Sequence, residues 1–390
     1  MPPAAEHADE TAEQPGLLAI AREWGWIGIV GIGGPPAHIS LFRGLCVERR
    51  GWVTDREFED AIAATNLLPG PASTQLAIYC AWRIRGALGA LVGGFCFIAP
   101  GLVMIVGLAV VFLGSPPTWV RGAGAGAGAA VAAVAVHAGT ALVRPAWRRA
   151  VTTSRGRFVL YAGSGAVSAA TLGPWLVLVL LGCGLLEMAV RRRVRWSRHG
   201  LFGFQLHPLL AAVATGGMAS LAWVAFKVGA LSYGGGFVII PLMQADAVDR
   251  YQWMTSGEFL NAVALGQVTP GPVVQTVAVV GYAAAGLPGA LLAAFVAFAP
   301  SFGFVLLGAD RYDRLLANAD MRSFVDGAGP AAIGAILGSA VPLALALEEP
   351  WQVVVLLGAF LSLFALRRGV VFTLLAAGAA GACAALLGVA

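Results

Sequence analysis

Apolar stretches and short polar loops alternate along the whole chain. In the first half the nearly uncharged apolar runs cover residues 17–45, 86–113, 120–143, 158–172 and 175–190. A helix needs about 20 apolar residues to cross roughly 30 Å of hydrocarbon. Runs of this kind, separated by polar loops, predict an all-α fold that crosses a membrane many times.

Two short stretches interrupt this pattern in the same way. The first reads Asn66-Leu-Leu-Pro-Gly-Pro-Ala-Ser-Thr-Gln75, and the second reads Gln267-Val-Thr-Pro-Gly-Pro-Val-Val-Gln-Thr276. Proline lacks an N–H group and clashes with the preceding turn, so no continuous helix passes through Pro-Gly-Pro. A break at membrane depth leaves backbone groups that only protein or a watery cavity satisfies. Each stretch therefore marks a candidate binding site of a transporter.

The segment before the first break opens with a helix-start signal. Thr54 and Glu57 have the spacing of a capping box. The helix from there to Leu68 has about 14 residues, or roughly 21 Å, which is too short to span a bilayer. A second piece of similar length follows Pro71 and ends near Arg85. Together the two pieces predict a re-entrant helical hairpin with Pro-Gly-Pro at its tip.

The second half of the chain repeats the first. Matching residues lie 201 positions apart at Gly33 and Gly234, Arg49 and Arg250, Trp52 and Trp253, Thr54 and Thr255, Glu57 and Glu258, and Pro69 and Pro270. The separation becomes 200 at Pro100 and Pro300. Internal duplication is a signature of many secondary transporters, whose site lies between the repeats. The predicted organisation is a polar disordered tail at 1–16, a first membrane repeat at 17–190, a basic cytoplasmic linker at 191–206 and a second membrane repeat at 207–390.

The arginines indicate how each repeat faces. In the first half they follow the first apolar run and the hairpin, and five lie between Arg144 and Arg157. In the second half acidic residues occupy the matching loops. Because lysine and arginine collect on the cytoplasmic side, the second repeat is predicted to be inverted. With about five crossings and one re-entrant hairpin in each repeat, we expect about ten crossings and an outward N-terminus.

Composition narrows the functional classes. The chain has 58% hydrophobic and 12% charged residues and a formal net charge of +5, a balance unlike that of soluble domains. Its positive charge comes from arginines in loops, which favours orientation in a lipid bilayer over binding to nucleic acid. The five cysteines are scattered without CxxC pairs, so no disulfide framework, zinc site or other cofactor is indicated.

Longer motifs resemble those of a known family. Gly33 to Arg43 reads GGPPAHISLFR and Asn66 to Tyr79 reads NLLPGPASTQLAIY, which resemble the first half of the chromate ion transporter family. Lys227 to Gly236 (KVGALSYGGG) and Ala264 to Val273 (ALGQVTPGPV) resemble its second half. The resemblance implies a two-domain protein of the bacterial inner (plasma) membrane. It further implies a transporter rather than an enzyme, one that exports chromate and confers chromate resistance, with sulfate as the isosteric competitor.

The residues around the breaks suit a tetrahedral dianion. Such an ion loses a large hydration energy in hydrocarbon, so protein donors must replace the lost water. Helix N-termini supply unpaired N–H groups and about half a positive charge each, and the helices that start at Ala72 and Val273 are expected to point such ends toward the middle of the membrane. The predicted substrate-binding residues are Asn66, Ser73, Thr74, Gln75, Gln267, Thr269, Thr276, Lys227 and Arg43. The predicted hinge or backbone-site residues are Gly33, Gly34, Pro35, Pro69, Gly70, Pro71, Gly234, Gly235, Gly236, Pro270, Gly271 and Pro272.

Each of these assignments has a purely structural alternative. The glycines and prolines either contact the anion or only permit bends, and hydroxyls in apolar helices often bond the preceding turn. Lys227, the only lysine, either binds anion within the membrane or snorkels to its surface. Arg43 either attracts anion at the inner mouth or only sets topology. His38 either carries a coupling proton or packs in the core, whereas Glu57 and Glu258 are assigned to capping boxes.

The sequence also bears on the energy source for transport and on two alternative functions. No Walker A sequence is present, so ATP does not drive this chain by itself. A membrane potential that is negative inside favours the exit of a dianion, with proton exchange as an open addition. A transporter or channel for sulfate or another oxyanion is the alternative function. A membrane-embedded enzyme is disfavoured, because the chain offers no grouped nucleophile, base or metal ligands. The alternating glycines of 122–128 predict close helix packing. Such glycine faces allow packing within one chain or between the two chains of a homodimer.

Overall fold

The fold is a bundle of helices. The computed structural model describes residues 15–67, 70–150, 155–171, 176–192, 217–232, 239–308 and 318–389, and these ranges contain no strand. The helices of the first half are α1 (Leu17–Val30), α2 (Pro35–Arg43), α3 (Asp55–Leu67), α4 (Ala72–Leu113), α5 (Thr118–Ala129), α6 (Val131–Arg149), α7 (Arg155–Thr171) and α8 (Leu176–Arg191). Those of the second half are α9 (Met218–Ala230), α10 (Ile239–Gln244), α11 (Ser256–Val268), α12 (Thr276–Gly308), α13 (Ala319–Leu345), α14 (Pro350–Phe360) and α15 (Val370–Leu386).

The same irregular elements recur in both halves. π-Helical turns follow α2 at Gly44–Arg49 and α10 at Ala245–Arg250, 201 positions apart. A sharp turn interrupts α4 at Gly86 (φ 60°) and α12 at Gly286 (φ 63°), a backbone region that favours glycine. The repeated sequence thus folds into repeated elements, whereas inversion of the second repeat stays a prediction.

The turn at Gly86 doubles α4 back on itself. A Cβ atom at Gly89 would overlap the carbonyl oxygen of Ala81, so the arms on either side of the turn touch through their backbones. The contact between Gly289 and the carbonyl of Gly281 repeats this arrangement in α12. The helix α3 also packs against α4, and the second arm of α4 is the long apolar run that the sequence predicts from residue 86. The re-entrant placement of α3 and the first arm in a membrane stays a prediction.

Helix length and polarity fit a membrane protein. Among the described residues, four segments are long and apolar enough to cross a bilayer, at Ala72–Leu113, Thr118–Arg148, Val273–Gly308 and Ala319–Leu345. Shorter apolar helices lie at Met218–Ala230, Pro350–Ala365 and Val370–Leu386. Large apolar side chains such as Phe95 and Phe295 are 68% and 75% exposed, which suits a surface that faces lipid. The exact number of crossings stays a prediction.

The two halves pack into each other rather than side by side. The most extensive helix contacts are α7 with α13 and α5 with α15, and α4 also packs against α12. Glycines allow the backbones to approach. A Cβ at Gly126 would overlap the carbonyl oxygen of Ala377, and one at Gly165 would overlap that of Ala331. The close packing predicted for residues 122–128 is confirmed.

Both predicted capping boxes are present. The backbone N–H of Thr54 donates to Glu57 Oε2 at 3.0 Å, and the N–H of Glu57 donates back to Thr54 Oγ1 at 3.3 Å. Thr255 and Glu258 make the same pair of bonds at 2.7 and 3.2 Å. Each box satisfies N–H groups that an isolated helix start leaves open, and it fixes where the first arm of each hairpin begins.

Candidate functional site

The first helix break lies between α3 and α4. α3 ends at Leu67 and α4 begins at Ala72, as predicted from Pro-Gly-Pro. The N–H groups of Thr74 and Gln75 donate to the carbonyl oxygen of Pro71 at 2.9 and 3.0 Å, which starts the helix. The N–H groups before them have no acceptor within the helix itself, as at every helix start. The break therefore presents backbone donors and the positive end of a helix dipole.

The second break has the same place in the second half but a tighter start. α11 ends at Val268, and a 3₁₀ turn at Val273–Gln275 leads into α12. The Thr269 hydroxyl donates to the carbonyl of Leu265, and the Thr276 hydroxyl donates to that of Val273, both at 2.8 Å. These two predicted ligands thus use their hydroxyl hydrogens on their own backbone.

The second break is joined to the interruption between α1 and α2. The N–H of Gly271 donates to the carbonyl oxygen of Gly31 at 2.9 Å. Nε2 of His38 lies 2.9 Å from the same oxygen, and its ring is fully buried. A Cβ atom at Gly34 would lie 4.0 Å from Cγ2 of Val273. The predicted hinge residue Gly271 of the second half thus contacts Gly31, which lies two residues before the predicted hinge at Gly33 and Gly34.

Each break is also closed by the long helix of the opposite half. A Cβ at Gly101 of α4 would overlap the carbonyl oxygen of Pro270 at the second break. At the first break, a Cβ at Gly70 would lie 3.4 Å from Ser301 Oγ of α12. Gly101 and Ser301 are 200 positions apart and occupy equivalent places in the repeat. The helix breaks are thus shared structures, to which both halves contribute.

A glutamine folds back over each Pro-Gly-Pro. The side-chain nitrogen of Gln75 lies against Gly70, and that of Gln275 lies against Gly271 and donates to the carbonyl of Pro270 at 3.3 Å. The sequence prediction included Gln75 but missed Gln275, because the separation of 201 pairs Gln75 with Thr276. The separation of 200 found at Pro100 and Pro300 was the signal that pairs the two glutamines.

Several buried polar atoms around the breaks have no hydrogen-bond partner among the described residues. They are His38 Nδ1, Thr74 Oγ1, Gln267 Nε2, Gln275 Oε1 and Ser301 Oγ. Buried polar groups are nearly always hydrogen-bonded, and exceptions call for a bound ion, a water or a functional role. Their grouping at the breaks marks this region as the candidate binding site.

The predicted charged ligands are engaged elsewhere. The ammonium group of Lys227 pairs with Asp246, which is fully buried. The guanidinium of Arg43 pairs with Asp55 and Glu59 at the start of α3. Neither pair has a role at the breaks in this structure, so a direct contact of Lys227 or Arg43 with the anion stays a prediction.

Some of the remaining predicted residues lie near the helix breaks, and others lie outside the described residues. Ser73 is buried in the first turn of α4, and Asn66 belongs to the last turn of α3. Gly33 and Pro35 lie at the junction of α1 and α2, and Pro272 precedes the 3₁₀ turn. The hinge residues Pro69, Gly234, Gly235 and Gly236 lie outside the described residues. Within the described ranges no group of three or more His, Cys, Asp or Glu residues is placed to hold a metal ion.

An apolar helical bundle with two broken helices, each packed against a long helix of the opposite half beside buried polar atoms that lack partners among the described residues, has features typical of secondary membrane transporters. The family model described as chromate transporter matches residues 18–188 and 219–382. The chain therefore belongs to the chromate transporter family.

Individual relatives agree with this assignment. The chain is 33% identical over 331 residues to the chromate transport protein of Cupriavidus metallidurans, a match that covers 82% of this chain and 80% of that protein. It is 32% identical over 326 residues to the probable chromate transport protein of Synechococcus elongatus, covering 81% and 82%. A third relative, 24% identical over 360 residues, is an uncharacterized transporter of Methanocaldococcus jannaschii, with 88% of each chain covered. No solved structure gives a significant match.

Proposed function

We propose that this protein exports chromate across the inner membrane and thereby confers chromate resistance. The observation that carries the proposal is the pair of broken helices, each with buried polar groups that lack partners among the described residues. Relatives named chromate transport proteins support chromate as the substrate. Chromate is a tetrahedral dianion of nearly the same shape as sulfate, so we expect sulfate to compete.

The anion binds where the helices begin. The starts of α4 at Ala72 and of the 3₁₀ turn at Val273 provide N–H groups and positive dipole ends. Thr74 and Gln267 add buried donors. Such donors replace the hydration that a dianion gives up on leaving water. Because both halves contribute to each break, movement of one half against the other opens the site to alternate sides of the membrane.

The membrane potential drives export. With the cell interior negative, one charge gains about 2.3 kcal/mol per 100 mV on leaving, and a dianion gains about twice that. Export is then downhill without a coupled ion. His38 is the candidate for a coupled proton, because its Nδ1 is buried without a partner among the described residues and its other nitrogen faces the carbonyl that holds the second break.

The test is uptake of radiolabelled chromate into everted membrane vesicles, in which entry corresponds to export. We expect energised vesicles with the protein to accumulate chromate and matched vesicles without it not to. Valinomycin with potassium, which collapses the potential, should abolish accumulation. Nigericin, which collapses the pH gradient, should have little effect if no proton is exchanged. A Gly70→Val variant serves as an inactive control, since Gly70 has φ 122° and its open side meets Gln75.

Competition by sulfate, molybdate and phosphate separates the possible anions. Strong competition by sulfate with faster sulfate uptake would make this a sulfate transporter. Conductance that does not saturate, measured in planar bilayers, would make it a channel. If none of the oxyanions moves or competes, the proposal is wrong.

A further inference from the structure

The two helix breaks differ in their side-chain donors although they are related by the repeat. In the first half the helix after the break begins Ala72-Ser73-Thr74, and in the second half the turn begins Val273-Val274. The second break therefore lacks the hydroxyls that the first one carries. At the start of the following helix, the first break thus carries two hydroxyl side chains where the second break carries two apolar ones.

The hydroxyls near the second break are already hydrogen-bonded. Thr269 donates to the carbonyl of Leu265 and Thr276 to that of Val273. By contrast, the Thr74 hydroxyl at the first break is fully buried and has no partner among the described residues. A buried hydroxyl without a partner is costly, and a bound ligand that accepts its hydrogen bond removes this cost.

The long helices that pack against the two breaks also differ in the side chain that they present there. At the second break α4 presents Gly101, which offers only backbone and fits closely against Pro270 and Gln275. At the equivalent place on α12 the chain carries Ser301, whose side chain is fully buried and whose Oγ has no partner among the described residues. That Oγ lies 3.4 Å from where a Cβ of Gly70 would be. It therefore points at the first break, next to the positive end of α4.

We infer that the Ser301 hydroxyl, supplied by the second half, donates to the oxyanion at the first break, and that the first break contributes more side-chain hydrogen bonds to the anion than the second. Ser301 and Thr74 provide two hydroxyl donors from opposite halves beside the N-terminus of α4. Oxyanions of this kind accept several hydrogen bonds at once, and bonds to charged groups are stronger than neutral ones. Ser301 is thus a ligand that links anion binding to the relative position of the halves.

This inference rests on the proposed oxyanion transport and is tested with Ser301→Ala in the full-length protein. The matched control is Ser339→Ala. Ser339 is also fully buried, but its hydroxyl donates to the carbonyl of Ile336 in its own helix at 2.7 Å. Two readouts are used: the KM and maximal rate of chromate uptake into everted vesicles, and thermal stabilisation of the purified protein titrated with molybdate.

Loss of a hydrogen bond to a charged ligand should raise KM and the half-stabilising molybdate concentration about tenfold or more. The maximal rate should change much less, and Ser339→Ala should behave like the wild type. If Ser301→Ala is not recovered as folded protein, Ser301→Gly replaces it, because glycine occupies the equivalent place at Gly101.

The outcomes separate the two levels of the argument. If wild-type vesicles take up chromate and Ser301→Ala matches Ser339→Ala in both readouts, Ser301 is not a ligand, and the proposed function stands. If wild-type protein neither transports nor is stabilised by any of the oxyanions, the proposed function fails and the assignment of Ser301 fails with it.

Discussion

The ammonium group of Lys227 on α9 pairs with the carboxylate of Asp246 in the π-helical turn after α10. Asp246 is fully buried and Lys227 is 8% exposed. The equivalent residues of the first half, 201 positions earlier, are Trp26 and Leu45. An ion pair therefore exists in the second half where the first half has two apolar residues. Removal of one partner would leave the other charge buried.

The pair predicts a non-additive pattern of stability. Lys227→Met should destabilise the protein by about 3–5 kcal/mol, since it leaves Asp246 uncompensated, whereas Lys227→Met with Asp246→Leu should recover most of the loss. Thermal unfolding in detergent measures both variants. A double variant as unstable as the single one would contradict the prediction. Transport by a stable double variant would show in addition that Lys227 does not bind the anion.

Glu57 is expected to make the stability of the protein depend on pH in the acidic range. Burial raises the pKa of Glu57, but hydrogen bonds from Thr54 and Arg83 more than offset burial and leave the pKa below its ordinary value. A carboxylate with a lowered pKa stabilises the fold above its unfolded pKa of about 4.3, and this contribution is lost as the pH falls through the folded-state value. Melting temperatures measured from pH 7 downward should therefore fall less steeply for Glu57→Gln than for the wild type.

The control for this prediction is Glu258→Gln. Glutamine keeps the capping hydrogen bond, and Glu258 forms no salt bridge within the described part of the chain. Comparison of the two variants therefore separates the contribution of Arg83 from that of the capping bonds, which both boxes share. Identical shifts in both variants would mean that the bond between Glu57 and Arg83 has no effect on the profile.

A buried carboxylate holds α7 and α8 together. Glu187 is fully buried, with Arg157 Nε at 2.8 Å, Arg191 Nε at 2.7 Å and the Tyr161 hydroxyl at 3.1 Å. Glu187→Gln should cost about 1.5–3 kcal/mol, because Arg157 and Tyr161 lose a charged hydrogen-bond acceptor, whereas Arg191 keeps its pair with Asp326. The matched control is Asp320→Asn, whose partner Arg192 is mostly exposed, and which should cost at most about 1 kcal/mol. Equal losses in thermal unfolding would contradict this account.

Close packing between α5 and α15 can be tested with a single methyl group. At Gly126 the added Cβ of alanine would overlap the carbonyl oxygen of Ala377 and lie 2.9 Å from Gly381 Cα. Gly126→Ala should therefore cost about 1–3 kcal/mol. Gly107→Ala on α4, where nothing lies within 4 Å, should be neutral or stabilising by up to about 1 kcal/mol. The two variants are compared by thermal unfolding, and similar behaviour would exclude a tight contact at Gly126.

Local chemistry allowed much of this fold to be predicted from the sequence. Proline and glycine rules place the break before Ala72, and the capping box places the start of α3. The turn at Gly86 falls where the second hairpin piece was expected to end. Each of these features depends on neighbouring residues, which the sequence shows directly. Family membership followed for the same reason, since the motifs are local.

The parts that could not be predicted depend on contacts between distant segments. Lys227 pairs with Asp246, and Ser301 approaches Gly70. Nothing in the sequence around these residues indicates that they are in contact. Gln275 was missed because one deleted residue shifts the repeat from a separation of 201 to 200 within the break. Local rules specify where helices stop, but they do not specify which side chain of another helix faces the gap.

The packing of first-half helices against second-half helices has a consequence for biosynthesis. When the ribosome has completed α8, the helices α5 and α7 still lack α15 and α13, against which their glycine faces pack. Large proteins generally fold from the N-terminus during synthesis, yet here the first half must wait in the bilayer for the second. Newly inserted first halves therefore depend on prompt translation of the remainder, and a stalled or truncated polypeptide offers quality-control proteases an incomplete bundle.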